Sequence, residues 1–209
     1  MGVSDQVTVV VGTFGDSWWT RLAHDRAIPS AVTQAPVIHV HGETLHEARN
    51  VALEGVRTPY VVHLDADDEL SPGYVAQMTE GVADIRAPAV QYVYSGHPRA
   101  PYVPKVAGHR HDCNAACLVT GNWIVVGACV RTDLVRAVGG WEPFAWSEDW
   151  ALWARCWKAG ASIEAIPAAV YVAHARPDSR NRGLAREAKD AAHWEIHRAV
   201  WPELYEGVT

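Results

Sequence analysis

The sequence predicts a single α/β domain built on a mainly parallel sheet with helices on both faces. The chain has 209 residues, an ordinary length for one domain. Strand and helix patterns alternate along it, which is typical of a doubly wound sheet. The strand patterns are nearly continuous apolar runs, as expected of strands covered on both faces. Three strands and three helices are expected in the first half, and two strands and three helices in the second.

In the first half, apolar runs that end at glycine or aspartate predict strands. Apolar residues at helical spacing predict the helices between them. Ser17 is expected to cap the first helix, and Pro72 is expected at the first position of the third. The predicted elements are a strand at 7–11, a helix at 18–26, a strand at 37–40, a helix at 43–56, a strand at 60–64 and a helix opening at Ser71.

In the second half, a stretch rich in Pro, Gly and His predicts an irregular excursion over residues 98–121. Gly160 is expected just past the end of a helix, where glycine is favoured. The elements predicted after the excursion are a strand at 123–130, a short helix ending at Gly139 and Gly140, a helix at 148–158, a strand at 166–173 and a terminal helix at 184–200.

Composition and charge exclude several classes of protein. The chain is 49% apolar and 20% charged, which is ordinary globular usage and excludes disordered and fibrous classes. A net charge of −6 argues against nucleic-acid binding. The N-terminal apolar run is too short for a signal peptide, and no segment is long enough to span a membrane, so we expect a cytoplasmic protein without a transmembrane segment. Tryptophan is unusually frequent, with ten Trp against two Phe.

The cysteines raise the question of a zinc site. His109, His111, Cys113 and Cys117 supply four zinc-ligand types within nine residues. Their spacing lacks the paired Cys-x2-Cys form that marks a zinc motif. We therefore favour a surface loop with reduced thiols over structural zinc.

Three polar clusters follow predicted elements. Asp65, Asp67 and Asp68 come directly after the third strand, where ligands of parallel sheets bind. Asp65 and Asp67 share a face, and their oxygens at this spacing suit Mg²⁺ or Mn²⁺. A solvated acidic turn that caps the next helix is the alternative.

The second cluster is Glu148 and Asp149 at the start of a helix, and the third is His174 and Arg176 at a strand end. An acidic pair at a helix N-terminus is favoured by the helix dipole without any function, although one carboxylate could be a general base. The histidine could complete a metal site and the arginine could bind phosphate, or both could be ordinary surface residues.

Taken in order, these stretches resemble family-2 glycosyltransferases of the glycosyltransferase-A fold, a Rossmann-like architecture. The resemblance covers about residues 7–181. It is carried by six loose motifs in the family's order. These are the first strand and turn, an Ala-Arg-Asn helix (48–50), the strand into Asp-x-Asp (59–68), a Gly-Gly-aromatic turn (138–141), Glu-Asp-x-x-Leu-Trp-x-Arg (148–155) and Tyr-x-x-His with a later Ser (171–179).

The resemblance implies an inverting, metal-dependent transfer of a sugar from a nucleotide-diphosphate sugar to an acceptor hydroxyl. It divides the chain into a nucleotide-sugar half (about 1–95), an acceptor half (about 96–181) and a C-terminal helix (about 184–201). Asp149 is implied as the general base and Glu148 as its support. Asp67 and His174 are implied as ligands of Mn²⁺ or Mg²⁺. The residues implied to bind the donor are Gly12, Thr13, Phe14, Arg49, Asp65, Ala66 and Arg176.

Two departures from the family's pattern leave the nucleotide open. Gly12 stands where members usually carry Pro. The second strand ends with His39 or His41 and Gly42, where members usually have an acid that contacts the base. UDP is favoured by analogy over GDP, while the sugar and the acceptor are undetermined.

Two other functions remain as alternatives. A nucleotidyltransferase acting on sugar phosphates would need a basic, Gly-rich loop after the first strand, and residues 12–16 carry no Lys or Arg. A silent nucleotide- or carbohydrate-binding module is disfavoured by the intact acidic motifs.

The tryptophans divide under this hypothesis. Trp153 and Trp157 are expected in the core, and Trp194 and Trp201 in the packing of the terminal helix. An aromatic ring beside the base could stack on the C–H face of an acceptor sugar. The tryptophans predicted to do so are Trp123, Trp141, Trp146 and Trp150.

Overall fold

The computed structural model describes residues 5–105, 115–176 and 184–206. Its strands are β1 (Val7–Phe14), β2 (Val37–Gly42), β3 (Tyr60–Leu64), β4 (Glu69–Leu70), β5 (Ile85–Tyr94), β6 (His97–Pro98), β7 (Cys129–Arg131) and β8 (Ile163–Ala175). Its helices are α1 (Ser17–Leu22), α2 (Ile28–Val32), α3 (Leu45–Gly55), α4 (Tyr74–Thr79), α5 (Thr132–Ala137), α6 (Glu148–Lys158) and α7 (Arg186–Val200). A π-helical segment, Ala23–Ala27, joins α1 to α2, and short 3₁₀ turns lie at Ala115–Val119 and Pro202–Leu204.

The strands form one sheet in the order β2-β1-β3-β7-β5-β8-β4, with β6 paired to the outer part of β5. β1 is parallel to β2 and β3, and β5 is parallel to β8. β7 runs antiparallel to both β3 and β5, so the five long strands point the same way. The predicted fold class, a mainly parallel α/β sheet, is confirmed.

The apolar strand runs form the centre of the core. Val7, Val9, Val10 and Val11 of β1 have no exposed surface, because β1 lies between two strands and under α3. The carboxyl ends of β1, β2 and β3 therefore meet at one edge of the sheet, and Asp65 follows there directly after β3.

Helix α6 begins and ends where the sequence predicts, at Glu148 and Lys158. Gly160 follows it with a φ of +96°, a left-handed conformation that glycine adopts without strain. Two predicted helix starts are wrong. Asp16, not Ser17, caps α1 by accepting a hydrogen bond from the Trp18 N–H at 2.7 Å. Gly73 precedes α4, so Pro72 lies before the helix.

Two predicted strands also differ from the structure. The sequence pattern over residues 123–130 contributes only Cys129–Arg131 as β7, since residues 123–128 form turns that pack into the core. The ten-residue strand β5 was missed, because Arg86 and Pro88 interrupt its apolar pattern. Arg86 is nonetheless buried, with its guanidinium over the Tyr60 ring and bonded to the Met78 and Ala83 carbonyls.

None of the helices in the described ranges is long and apolar enough to cross a membrane. Cys117, Cys129 and Cys156 are buried free thiols. The other residues of the considered zinc cluster, His109, His111 and Cys113, lie outside the described residues.

Candidate active site

The acidic turn after β3, residues 65–68, is held by hydrogen bonds to β8. Asp68 is buried and accepts hydrogen bonds from the Tyr171 hydroxyl and from the backbone N–H of His174, both at 2.8 Å. The same hydroxyl accepts a bond from the Asp65 N–H at 3.3 Å. Burial, followed by the charges of Asp67 and Asp65, raises the pKa of Asp68 well above its usual value. Asp68 is therefore a structural anchor, and Asp65 and Asp67 are left to face outward.

Asp67 is partly exposed, as Asp65 is. Burial, and then the negative charge of Asp65, raise the pKa of Asp67 to about 6. Its backbone carbonyl accepts a hydrogen bond from Arg26 Nη1 at 2.8 Å, and its Oδ2 lies 3.8 Å from Arg176 Nη1. Two cations from different elements thus flank Asp67, and the buried Ala66 joins it to Asp65.

Arg176 lies in a cavity of 250 Å³ on the outer side of Asp67. Its guanidinium sits 4.5 Å from the centre of the Trp18 ring, which is 41% exposed. Arg26 and His174 also line this cavity. Arg26 and Trp18 were missed by sequence reasoning, since nothing in the α1 pattern marks them as neighbours of the acidic turn.

Arg49 connects the acidic turn to the start of α6. It is only 3% exposed, and its Nη2 donates to Asp65 Oδ1 at 2.7 Å while its Nη1 donates to Glu148 Oε1 at 3.1 Å. Gly12 allows this approach, because a Cβ there would lie 2.9 Å from Arg49 Cγ. Both terminal nitrogens of Arg49 are paired with carboxylates, and its expected contact with the nucleotide stays a prediction.

The two acidic residues at the start of α6, Glu148 and Asp149, differ in burial. Ser147 precedes it in a left-handed conformation with a φ of +54°. Glu148 is buried against Arg49, whereas Asp149 is half-buried and accepts a hydrogen bond from Asn122 Nδ2 at 2.9 Å. Burial and the adjacent Glu148 raise the pKa of Asp149 to about 7, with Asp65 adding to the effect and Arg49 opposing it. Asp149 is therefore the carboxylate suited to exchange a proton near neutral pH.

The remaining motifs lock this arrangement together. Asn50 pairs with the backbone of Trp141, accepting from its N–H at 2.8 Å and donating to its carbonyl at 2.9 Å. Arg155 donates to the Val138 and Gly140 carbonyls, each at 2.6 Å. The Ala-Arg-Asn helix, the Gly-Gly turn and α6 are thus one hydrogen-bonded unit, which holds Arg49 and Glu148 within hydrogen-bond distance of each other.

The predicted aromatic platform for an acceptor is largely wrong. Trp123, Trp141 and Trp150 are 4%, 2% and 1% exposed, so their faces are covered by protein. Trp141 instead supports Arg49, whose guanidinium lies 4.1 Å above its ring. Trp146 is the half-buried member of the four and keeps its predicted role as a hypothesis.

The other tryptophans divide as follows. Trp153 is buried in the core as predicted, and Trp157 packs against the core while half-buried. Trp201 is buried at the end of α7, but Trp194 is 49% exposed, so its predicted packing role is wrong.

The ends of β1 and β2 form a polar cluster around Thr13, which is 2% exposed. Thr13 Oγ1 lies 3.0 Å from His39 Nε2 and 3.1 Å from His41 Nδ1. His41 also lines a cavity of 550 Å³ together with Gly15, Gly42, Glu43 and Glu47. Phe14, at the mouth of β1, is 36% exposed. The structure thus brings the predicted residues Thr13 and Phe14 to the same edge as Asp65.

The described residues contain no group of three or more His, Cys, Asp or Glu side chains that could hold a metal ion. His174, predicted as a ligand, has its Nε2 at 2.5 Å from Glu69 Oε2. Its Nε2 is thus engaged, and the ring could bind a metal through Nδ1 with that contact kept, or through Nε2 once it breaks. Asp67 offers oxygen atoms of the kind that Mg²⁺ and Mn²⁺ prefer.

Comparison with known proteins agrees with this architecture. The model of a family described as glycosyl transferase family group 2 matches residues 60–194. No curated protein matches the sequence. The crystal structure of S. aureus TarS 1-349 in complex with UDP-GlcNAc aligns with a TM-score of 0.65 at 15% identity, covering 96% of this chain and 66% of that chain. TarS 1-349 in complex with UDP aligns with a TM-score of 0.60 at 14% identity, covering 96% and 65%.

The chain thus spans slightly less than two thirds of the TarS 1-349 structures, and it covers 40% of the longer TarS chain. The family match includes the acidic turn, the Gly-Gly turn, α6 and the strand that bears His174. The structural likeness covers nearly the whole described fold. The chain therefore belongs to glycosyl transferase family group 2 and has the glycosyltransferase-A fold.

Proposed function

We propose that the protein transfers a sugar from a UDP-sugar to an acceptor hydroxyl with inversion, dependent on Mn²⁺ or Mg²⁺, with Asp149 as general base. The observation that carries the proposal is the bridge made by Arg49. It joins Asp65, at the donor edge of the sheet, to Glu148, the direct neighbour of Asp149. A proton acceptor with a pKa of about 7 therefore lies beside the edge where a nucleotide would bind.

The donor half of the site is proposed to consist of the strand ends and the acidic turn. Gly12, Thr13 and Phe14 form the strand end on the nucleoside side, where Phe14 is the exposed member of the three. Asp65 hydrogen-bonds there while Arg49 fixes its orientation. UDP is favoured over GDP, since the fold matches TarS structures that contain UDP-GlcNAc and UDP. Arg176 carries a positive charge beside Asp67 and is suited to hold a diphosphate oxygen.

Asp67 is the residue that best fits a metal ligand. Its pKa is raised by burial and by the negative charge of Asp65, and a divalent cation would offset both effects. The described side chains offer fewer ligands than an octahedral cation takes, which suits an ion that completes its shell with phosphate oxygens and water. When bound, the ion would act as a Lewis acid on the departing diphosphate. His174 remains a proposed ligand, either through Nδ1 while Glu69 holds Nε2 or through Nε2 after that contact breaks.

The acceptor half is proposed to act through Asp149. Its carboxylate takes the proton of the acceptor hydroxyl as the hydroxyl oxygen bonds to the anomeric carbon of the sugar. The bond from that carbon to the diphosphate oxygen breaks, and the diphosphate leaves with the electron pair. Attack from the face opposite to the leaving group inverts the anomeric centre. Asn122 orients the Asp149 carboxyl through its 2.9 Å hydrogen bond.

The decisive experiment is incubation of the protein with UDP-sugars in the presence and absence of Mn²⁺, followed by analysis of the products. Metal-dependent release of UDP is the expected result, because a glycosyltransferase hydrolyses its donor slowly when water replaces the acceptor. Release of pyrophosphate would support a nucleotidyltransferase instead. Binding without turnover would support a silent module, and either result would overturn the proposal.

A further inference from the structure

We propose that Glu148 is a positioning residue whose fixed negative charge, clamped by Arg49, sets the proton affinity of Asp149. This inference rests on the proposed role of Asp149 as the general base. Glu148 and Asp149 are adjacent in sequence and chemically alike, yet the structure gives them different surroundings. Their roles can therefore be separated.

Glu148 is not placed to be the base itself. It is 6% exposed, and its Oε1 accepts a hydrogen bond from Arg49 Nη1 at 3.1 Å. A carboxylate that is buried in an ion pair has little access to an acceptor hydroxyl. The left-handed Ser147 lies just before it, and adjacent helical residues point about 100° apart, so Glu148 and Asp149 point in different directions.

The charges around Asp149 leave an excess of negative charge. The charged groups that act on its carboxyl are Glu148 in the same helix turn, Arg49 from α3 and Asp65 after β3. The neutral hydrogen-bond donors are the Asn122 amide and the Trp150 backbone N–H, each at 2.9 Å. Arg49 is shared by two carboxylates, so the triad of Asp65, Arg49 and Glu148 carries one net negative charge. A nearby like charge favours the protonated form of Asp149.

Replacing Glu148 by Gln removes that excess while keeping an oxygen that can accept the bond from Arg49. The single positive charge of Arg49 is then balanced by Asp65 alone. We expect the pKa of Asp149 to fall by roughly one pH unit or more, because the removed charge lies on a neighbouring residue in a partly buried site. Asp149 then becomes a weaker base.

The test is a carboxyl ¹³C NMR titration of the full chain, in which Asp149→Asn identifies the signal. Glu148→Gln is expected to lower the pKa of the Asp149 carboxyl, and Glu148→Asp, which keeps the charge, to restore much of it. Glu142→Gln is the matched control, since Glu142 lies on the loop before α6 and pairs with Arg155 at 3.5 Å. An unchanged Asp149 pKa in Glu148→Gln overturns the inference. If that variant does not fold, Glu148→Ala removes the same charge and must lower the same pKa.

A second readout separates this inference from the proposed function. The probe is release of UDP from UDP-GlcNAc in the presence of Mn²⁺, measured across pH. Glu148→Gln is expected to move the acidic limb of the profile to lower pH, by the amount found in the titration. Persistence of full UDP release in Asp149→Asn would sink the proposed base, whereas the titration would still decide the electrostatic role of Glu148.

Discussion

Asp149 combines partial burial with a neighbouring negative charge, and both effects raise its pKa to about 7. Asp149→Asn removes the proton acceptor but keeps the size of the side chain and one oxygen, which can accept from Asn122 Nδ2 or from the Trp150 N–H. We expect transfer to fall roughly 10²–10⁴-fold while donor affinity stays nearly unchanged, as for the loss of a general base. Initial rates and UDP titrations on the same preparations measure the two effects. Asp190→Asn, on the exposed face of α7, is the control.

The wild-type rate should also rise with pH through about 7, because only the ionised form of Asp149 accepts a proton. If Asp149→Asn retained normal transfer, the base would have to be sought elsewhere in the cleft.

Asp67 is expected to contribute to donor binding through the metal. Asp67→Ala removes the half-buried carboxylate that Asp65 and Arg176 flank. Mn²⁺ should then no longer increase the affinity for UDP, which calorimetric titration with and without the metal would show. Asp25→Ala, an exposed aspartate in the segment that also bears Arg26, should leave the metal effect intact. An unchanged metal effect in Asp67→Ala would remove the site assignment.

At the scale of residues, local motifs predicted where charged groups lie in the site, but they did not predict which residues these groups pair with. Glu148 and Asp149 were identified from six ordered motifs, but the division between them depends on Arg49, which is 99 positions distant from Glu148 in sequence. Trp141 and Trp150 were assigned to the cleft because they neighbour Asp149 in sequence. Their burial could not be foreseen, since the sequence around a tryptophan does not show whether its ring will contact a sugar or a guanidinium.

At the scale of elements, the Gly-Gly turn is the joint between α3 and α6. Gly140 has a φ of +73°, and a Cβ there would lie 2.5 Å from Asn50 Oδ1, which is held by the Trp141 N–H. Gly140→Ala should cost about 3 kcal/mol of unfolding free energy, from left-handed strain and from the loss of the Asn50 contacts. Urea denaturation measures this cost.

Gly160→Ala is the matched comparison for the turn. Its φ of +96° is equally unfavourable for alanine, but no atom lies within 4 Å of the added Cβ. We expect a smaller loss of about 1–2 kcal/mol, the cost of backbone strain alone. Equal losses in the two variants would show that the Asn50 contacts contribute nothing.

Prediction of elements succeeded where apolar spacing was regular and failed where tertiary packing overrides it. β3 and α6 were located to the residue, since each has a clean pattern and clear boundaries. β5 was missed because a buried arginine and a proline interrupt its apolar pattern. Arg86 is accommodated by the Tyr60 ring and by the Met78 and Ala83 carbonyls, and Pro88 lies where β5 pairs with β8. β7 was overextended, because a buried turn and a buried strand are equally apolar.

At the scale of the whole molecule, the site exists because distant parts of the chain converge on one edge of the sheet. β7 enters antiparallel between β3 and β5 and so connects the two parallel groups of strands. Asp65 and Asp67 are then supported by β8, and Asp149 is carried to them on α6. Strand polarity and the acidic edge followed from the alternating pattern, but the order of strands in the second half did not.

This convergence of carboxylates should destabilise the fold at neutral pH, and Asp149 offers a way to measure the effect. Its pKa is about 7 in the folded chain against an ordinary value of 3.8, so the folded state binds more protons than the unfolded state between these limits. Stability from this group is thus present at low pH and is lost as pH rises through about 7. Asn has no charge to desolvate, although it keeps only one of the two accepting oxygens. The stability of Asp149→Asn relative to wild type should therefore increase with pH, by at most about 4 kcal/mol.

Urea denaturation of wild type and Asp149→Asn at about pH 5 and about pH 8 measures this difference directly. Asp190→Asn should show no such growth, since Asp190 is exposed on α7. A pH-independent difference between wild type and Asp149→Asn would mean that the carboxyl is already solvated in the folded protein. The protein would then lack the raised proton affinity on which the proposed base depends. Growth of the difference with pH would instead show that this chain gives up stability to keep a base in its cleft.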